Sequence, residues 1–333
     1  MKTDYPSFSV IAPTYNRSEI VEETLRRLAA VDYPSDRYEV LVTDNSTDDT
    51  PQMVERMAAS SVAPIRLISS AERLPAVKRN MAVEAANGEY ALFINDDLWV
   101  EPDFLTEHAS AHRRHPGPVA VLGLVEQSAQ MPWTPFTEWY RPFAFEEIDD
   151  QEDRNVGWRY FWSMNISLPR DEMIRRNLLF HEDWRHIGHE DIELGYRWGQ
   201  AGYRIVYHPA ARGQHYHPHT LDSACRLQES IGKGLRDLEV LIPDPTLLER
   251  YGVFSWHNSG RAVARALVRQ ALFNGLTVPA AKRWLESLER NNRLSRWMYW
   301  KVLLHYTNRG YRNTAPSATR TGLTISATDR AGS

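Results

Sequence analysis

Between residues 8 and 94 the chain alternates short apolar runs with longer stretches in which apolar residues recur every three or four positions. Phe8-Ser9-Val10-Ile11-Ala12, Tyr38-Glu39-Val40-Leu41-Val42-Thr43, Ile65-Arg66-Leu67-Ile68 and the run after Gly88 ending at Ile94 predict strands. The segments from Ser18, from Pro51 and through Val77, Met81 and Ala85 predict helices. Strands apolar on both faces fit a largely parallel sheet covered by helices, because only right-handed crossover helices connect parallel neighbours compactly. Residues 8–125 therefore read as a βαβαβαβ unit of an α/β domain. Helix starts are locally encoded: Asn16 with Glu19 resembles a capping box, Val21, Leu25 and Leu28 form one stripe, and Thr50-Pro51 places a cap before a proline at the first helical position.

Residues 126–160 are rich in Pro, Trp, Phe, Glu and Asp without clear periodicity, which predicts a long ordered excursion over the sheet of the kind that forms active-site lids. Strand-like composition returns over Trp158 to Leu168, a helix is expected from His189 to Ala201, and Tyr203 to Tyr207 reads as a short strand. The division expected is one large α/β domain over residues 1–220, in two halves (1–125 and 126–220). A helical region over 221–313 and a disordered tail rich in Ser, Thr, Ala and Gly over 314–333 follow.

Composition narrows the class. The 333 residues are 42% hydrophobic, enough for a sizeable core, and no apolar run approaches the roughly 20 residues a membrane span needs. The first residues lack an apolar signal core, so a cytoplasmic location is expected. One cysteine, Cys225, excludes an intramolecular disulfide and any multi-cysteine metal site. The net charge of −4 is unevenly spread: residues 250–313 carry twelve Lys and Arg against Glu286 and Glu289, so the acidic excess lies in residues 1–249. With the amphipathic stretch Leu294 to Leu304, this basic end fits peripheral contact with an anionic surface such as the inner face of the plasma membrane. Docking on the catalytic domain or on a second subunit of a homo-oligomer fits it equally, and a solvated face is the plainer alternative. No recognised nucleic-acid motif accompanies the charge.

Four polar places lie where ligands bind in such sheets, outside the carboxyl ends of strands. The strand run Phe93-Ile94 ends in Asn95-Asp96-Asp97; adjacent carboxylates suit a divalent cation, although Asp pairs also make turns and caps. Pro13-Thr14-Tyr15-Asn16-Arg17 leads from a strand into a helix N-terminus, where free N–H groups favour an anion or a base edge. Asp44, at the end of the second strand, is placed to accept from a base or a ribose. Finally, Glu190 and Asp191 open a helix, and His215 and His217 follow a strand; either histidine can complete an oxygen and imidazole site for Mn²⁺ or Mg²⁺ with Asp97.

In this order and at these distances the motifs resemble the family-2 glycosyltransferases of the GT-A fold, over roughly residues 7–220. The resemblance implies an inverting transferase that moves a sugar from a nucleotide-diphosphate donor to a hydroxyl acceptor. Pro13, Thr14, Tyr15, Arg17 and Asp44 would contact the nucleotide; Lys78 and Arg79 would lie near the diphosphate; and Asn95, Asp96 and Asp97 would take the place of the metal-binding DxD motif. Asp97 would bind the metal with His215, Asp96 would face the ribose, and Asp191 beside Glu190 would be the general base. Trp162 and Asn165 would lie on the acceptor side, and Trp158 and Trp162 are candidates for sugar stacking. Asn95 departs from the family's first acid, which leaves room for weaker metal affinity.

Two other classes compete. A sugar-phosphate nucleotidyltransferase would carry a Gly-rich phosphate loop after the first strand, and Pro13-Thr14-Tyr15-Asn16 is not one. A catalytically silent nucleotide-binding scaffold would need no base opposite the metal, which the set Asp96, Asp97, Glu190, Asp191 and His215 argues against.

Overall fold

The computed structural model describes residues 5–244, 246–253 and 270–316, with positions 264 and 268. The chain divides into two compact units. The first comprises the described chain up to Trp133 with Tyr140–Glu182 and Glu190–Pro218; the second comprises Thr134–Trp139, Asp183–His189 and the chain from His219 onward.

In the first unit, strands β1 (Phe8–Thr14), β2 (Tyr38–Asp44), β3 (Ile65–Ser69), β4 (Tyr90–Ile94), β5 (Leu98–Val100), β6 (Val119–Gln127), β7 (Asn165–Pro169) and β8 (Arg204–His215) form one sheet in the order β3-β2-β1-β4-β7-β6-β8-β5. The first four strands pair in parallel, as their two-sided apolar pattern predicts. Beyond β4 the sheet departs from that pattern: β7 is antiparallel to both β4 and β6, β5 is antiparallel to β8, and β6 and β8 are parallel. Helices α1 (Ser18–Leu28), α2 (Thr50–Ser60), α3 (Pro75–Ala85), α4 (Phe104–Arg114), the short α6 (Arg170–Arg175) and α7 (Glu190–Gln200) complete this unit. Its core runs from Phe8, Val10 and Ile11 through Leu92 and Phe93 to Ile166, Trp198 and Tyr207, all almost fully buried.

Local expectations are corrected in several places. Asn16 caps nothing: its φ is 51°, α1 begins without a side-chain cap, and its amide binds the Thr47 loop instead. Thr50 lies inside α2, and Asp48 Oδ1 accepts from its N–H at 3.0 Å and its hydroxyl at 2.6 Å. The strand expected over 158–168 is confined to β7, because Trp158–Tyr160 forms a 3-10 turn. The excursion over 126–160 is ordered, with 3-10 turns and isolated bridges Glu152 to Tyr207 and Asn155 to Val206.

One irregularity shapes the site. Between β6 and β8 the register breaks so that Gly123 pairs with His208 and Leu124 with Arg212, leaving Pro209, Ala210 and Ala211 as a bulge. Pro209 thus lies within a long strand, where its missing N–H costs no ladder bond. A side chain at Gly123 is excluded: a Cβ there would meet Ala211 O at 2.0 Å and Asn165 Nδ2 at 2.3 Å.

The second unit is helical: α5 (Pro135–Trp139), α8 (Leu221–Leu241), the short α9 (Leu247–Arg250), α10 (Thr277–Arg290) and α11 (Arg296–Arg312). Thr220 and Ser223 cap α8 reciprocally. Helices α8 and α11 approach so closely that a Cβ on Gly232 would lie 2.0 Å from Thr307 O, and Arg309 ion-pairs with Glu229 across them. Residues 134–139 and 183–189, read from sequence as part of the 126–220 half, group here for visible reasons. Phe136 and Trp139 pack on Tyr299, with ring centroids 5.0 and 5.5 Å away, and Ser230 Oγ bonds both Ile187 N and Ile187 O. Among the described residues no helix is long and apolar enough to cross a membrane. The disordered tail expected over 314–333 lies outside the described residues from 317 onward.

Candidate active site

The polar residues gather at the carboxyl edge of β1, β2 and β4 and at the end of β8. Because β1 and β4 are parallel neighbours, Thr14 emerges beside the turn after Ile94, and its hydroxyl donates to Asp96 Oδ2 at 2.7 Å. Thr24, on α1, donates to Asp96 O at 2.7 Å and fixes the turn from below. Burial pushes the Asp96 carboxyl up to about 6 despite the Arg17 charge beside it, and Asp97 adds to the rise. Burial also opposes ionisation of Asp97, but His215, His217 and Arg17 outweigh it and hold this carboxyl well below the usual range.

Antiparallel pairing of β5 with β8 sets Leu98 opposite His215, and the chain leaving β8 is held by Tyr216 N–H donating to Asp97 O at 2.9 Å. Alternation along the strand would send His215 and His217 to the same side. Both reach Asp97: His217 Nδ1 lies 2.9 Å from Oδ2, and His215 Nε2 lies 3.3 Å from Oδ1. The rings stack at 5.5 Å with 9° between planes. Asp97 Oδ1 is buried without a hydrogen bond, and one ligand atom from each residue falls within 4.8 Å of the others. Ligands about 2.1 Å from an octahedral ion stand roughly 3–4.2 Å apart, so the three groups would draw in slightly to hold a divalent cation. The sequence left the choice between His215 and His217 open; the structure brings both to Asp97.

At the end of β2, Asp44 Oδ1 accepts from Ser46 N–H (2.9 Å) and Oγ–H (2.5 Å), and a cavity of about 430 Å³ lies between Asp44, Ser46, Ser69 and Arg73. Arg73, which sequence reasoning passed over, stands 4.7 Å over the Tyr15 ring; a lone Arg in the loop before α3 carries no motif. Pro13 lies within β1 opposite Thr43, and Asn95 is half-buried at the turn.

Several expected contacts are arranged differently. Lys78 is buried; its Nζ donates to Thr14 O and Asn45 Oδ1 at 2.5 Å each, tying the β1 and β2 loops together. Burial depresses its pKa, against the pull of Asp44 and Asp96. Arg79, expected near a diphosphate, pairs with Glu190 at 2.8 Å, with both side chains buried. Arg17 spans the two acids: Nη1 lies 2.7 Å from Asp96 Oδ1, and Nη2 lies 2.8 Å from Asp97 Oδ2 and 3.2 Å from His217 Nδ1.

Asp191 opens α7 with Oδ2 receiving Ser163 N–H (3.1 Å) and Oγ–H (3.2 Å), while Oδ1 accepts from Ile192 N–H at 2.8 Å. Burial, then the Glu190 charge, pushes its carboxyl up to about 6, partly offset by Ser163 and Arg79. Ser163 has no signature in sequence beyond its place before β7. Trp162 is half-buried in an aromatic group with Phe143, Phe145 and Tyr160, and Trp158 packs edge-on against Tyr196. A second cavity of about 340 Å³ lies beside His215, walled by Trp133, Phe143 and Gln127, with Glu126 and Asp149 at its rim.

Asn165 does not face the acceptor side. It is fully buried, and its amide donates to Leu124 O (3.1 Å) and Ala211 O (2.8 Å), two carbonyls at the β6–β8 bulge. Its Oδ1 lies 2.9 Å from His108 Nε2, which must then be the protonated nitrogen. Ser167 Oγ–H accordingly points to His108 Nδ1 at 2.9 Å and accepts from His112 Nε2–H at 2.7 Å. Burial pushes His108 down to about 3 and His112 well below its ordinary value, so both rings are neutral, as this chain requires.

The glycosyl transferase family 2 profile matches residues 9–166. The poly(ribitol-phosphate) beta-N-acetylglucosaminyltransferase TarS of Staphylococcus aureus is 34% identical over 116 residues, which cover 34% of this chain and 20% of that protein. The validoxylamine A glucosyltransferase of Streptomyces hygroscopicus subsp. jinggangensis is 28% identical over 220 residues, 58% of this chain and 51% of that one. The chain thus spans between a fifth and about half the length of these curated relatives. Among solved structures, the mannosyltransferase PcManGT from Pyrobaculum calidifontis, in complex with GDP-Man and Mn²⁺, matches with a TM-score of 0.63 at 22% identity, covering 93% of this chain and 88% of that one. A match at that identity speaks for the fold. The matched segment 9–166 holds Arg17, Asp44, Lys78 and the Asp96-Asp97 pair, so this part of the chain carries the family-2 glycosyltransferase profile, and the chain has the GT-A fold.

Proposed function

We propose that the protein transfers a sugar from a nucleotide-diphosphate donor to a hydroxyl acceptor by a single inverting displacement. The observation that carries this reading is the clustering of Asp97, His215 and His217 in the same unit of the chain that holds the half-buried Asp191. PcManGT, whose complex holds GDP-Man and Mn²⁺, supports a nucleotide-sugar donor and a divalent ion by fold likeness.

The nucleobase enters the cavity beside Asp44, whose Oδ2 accepts from a ring N–H while Ser46 keeps Oδ1 occupied. Tyr15 stacks against the nucleotide with Arg73 behind it, and Asp96 orients the ribose. Asp97, His215 and His217 would hold a divalent ion, Mn²⁺ or Mg²⁺, which would supply positive charge to offset that developing on the departing diphosphate. Asp191 Oδ2 takes the proton of the attacking hydroxyl. Its elevated pKa suits that task near neutrality, and Ser163 aims the carboxylate. Glu190, fixed by Arg79, acts on Asp191 by charge. Inversion needs no protein nucleophile, and Cys225 is buried with its thiol pushed up to about 12, so it is not one. The acceptor occupies the aromatic-walled cavity beside His215, near Trp162.

In the helical unit, Trp297 and Trp300 are exposed on α11 with Lys301 lying over both rings. With the basic surplus of that region they support peripheral contact with an anionic surface. Co-sedimentation with anionic but not neutral liposomes checks this.

The test of the main reading is nucleotide release from a panel of UDP-, GDP- and dTDP-sugars with Mn²⁺ or Mg²⁺. Slow release from one donor, lost in Asp97→Ala and in Asp191→Ala, is expected. Silence across the panel, with no nucleotide-induced thermal stabilisation, removes the donor site.

A further inference from the structure

The metal position already has a cation of the protein's own. Arg17 Nη2 binds the same two atoms, Asp97 Oδ2 and His217 Nδ1, that a divalent ion would use, at 2.8 and 3.2 Å, while Nη1 holds Asp96 Oδ1 at 2.7 Å. His217 Nδ1 lies 2.9 Å from Asp97 Oδ2, so it either donates to that oxygen or accepts from Arg17, while Arg17 Nη2 donates to Asp97 Oδ2 in either tautomer. Two adjacent buried carboxylates need a countercharge, and Arg17 is the cationic side chain in contact with both. Its side chain is about a quarter exposed, against 2% for Asp97, so it can leave toward solvent while Asp97 cannot.

We infer that Arg17 is an internal competitor for the metal, displaced from Asp97 when the donor's diphosphate arrives to receive it. The inference rests on the metal reading above. A divalent ion on Asp97 takes the carboxylate lone pair that Arg17 uses and repels its charge at close range. Metal entering alone therefore costs the Arg17 bridge and leaves a guanidinium beside a dication. A nucleoside diphosphate supplies the missing anion: one face meets the metal and the other meets the freed Arg17, a planar fork suited to phosphate oxygens. Metal and nucleotide then bind with positive coupling, and by reciprocity each strengthens the other by the same factor, commonly 5–150-fold. Arg17 thus discriminates against the metal alone, as well as contacting the nucleotide.

The experiment is a Mn²⁺ titration read by the electron paramagnetic resonance signal of free Mn²⁺, with and without saturating UDP or GDP and without any sugar donor. Wild type, Arg17→Met, Arg17→Lys and Asp97→Asn are compared after melting curves establish that each is folded. Expected is weak Mn²⁺ binding by wild type alone and binding roughly tenfold tighter by Arg17→Met alone. Arg17→Lys, whose single ammonium cannot span both acids, falls between them, and the nucleotide enhancement shrinks as the competitor weakens. Asp97→Asn binds Mn²⁺ in neither condition. Should Arg17→Met melt early, Arg17→Lys carries the comparison. If wild type binds Mn²⁺ and neither Arg17 variant binds it more tightly without nucleotide, the competitor role is wrong while the metal site stands. If no form binds Mn²⁺ even with nucleotide, the metal reading and this inference fall together.

Discussion

Replacing Asn165 with leucine, nearly the same in volume, removes every polar atom from the point where the β6–β8 bulge is tied to β7. The carbonyls of Leu124 and Ala211 lose their donor, and His108 Nε2–H loses its acceptor. Each buried group left unsatisfied costs about 1–3 kcal/mol, so three of them predict a loss of roughly 3–9 kcal/mol. At about 2–4 °C of Tm per kilocalorie, melting should fall by at least about 6 °C. The bulge sets the course of β8, whose end carries His215 with His217 two residues beyond, so Mn²⁺ affinity should fall along with stability. Urea unfolding followed by tryptophan fluorescence gives the first quantity, and Mn²⁺ titration gives the second. Activity of the remaining folded fraction should keep its KM for the acceptor. A loss of stability below 1 kcal/mol, together with a raised acceptor KM, would return Asn165 to the acceptor side and refute the network.

Three further expectations follow from the same geometry. His215→Ala and His217→Ala should each weaken Mn²⁺ binding about tenfold or more, and the double variant should resemble Asp97→Ala; unchanged affinity in either single variant removes that histidine from the site. Because Asp191 titrates at about 6, kcat/KM should fall tenfold per pH unit below that value. Ser163→Ala, which removes the hydroxyl donor and leaves the backbone N–H in place, should move this limb slightly upward. The stability Asp191 contributes has the matching sign: its folded pKa is raised, so the contribution is complete below the ordinary carboxylate pKa of 3.8 and lost as pH rises through about 6, and Asp191→Asn should flatten that slope. Arg79→Met leaves Glu190 buried without its cation and should destabilise the fold by about 3–5 kcal/mol, which denaturant unfolding measures.

The parallel half of the sheet was legible in the chain because burial on both faces leaves a continuous apolar run, and Val40-Leu41-Val42 or Leu92-Phe93-Ile94 have no other reading. The same strands end at or just before Thr14, Asp44 and Asp96-Asp97, so the gathering of these polar residues at one sheet edge followed from strand order alone. Local signals near the helix starts were less decisive: Asn16 and Thr50 look like caps, yet the loops they face recruit them elsewhere. What no local pattern encodes is how separate segments share polar atoms. Arg17 and Asp97 are 80 residues apart, Asp97 and His217 are 120 apart, and Arg79 and Glu190 are 111 apart. Whether Arg79 meets a phosphate or a carboxylate, whether Asn165 faces a sugar or a bulge, and which histidine reaches Asp97 depend on strand register and on the three residues inserted at Pro209. Sequence determined the kinds of side chain at each strand end through hydrophobic periodicity. Tertiary structure decided their partners, because buried charges and amides take whichever partner the packing brings within about 3 Å.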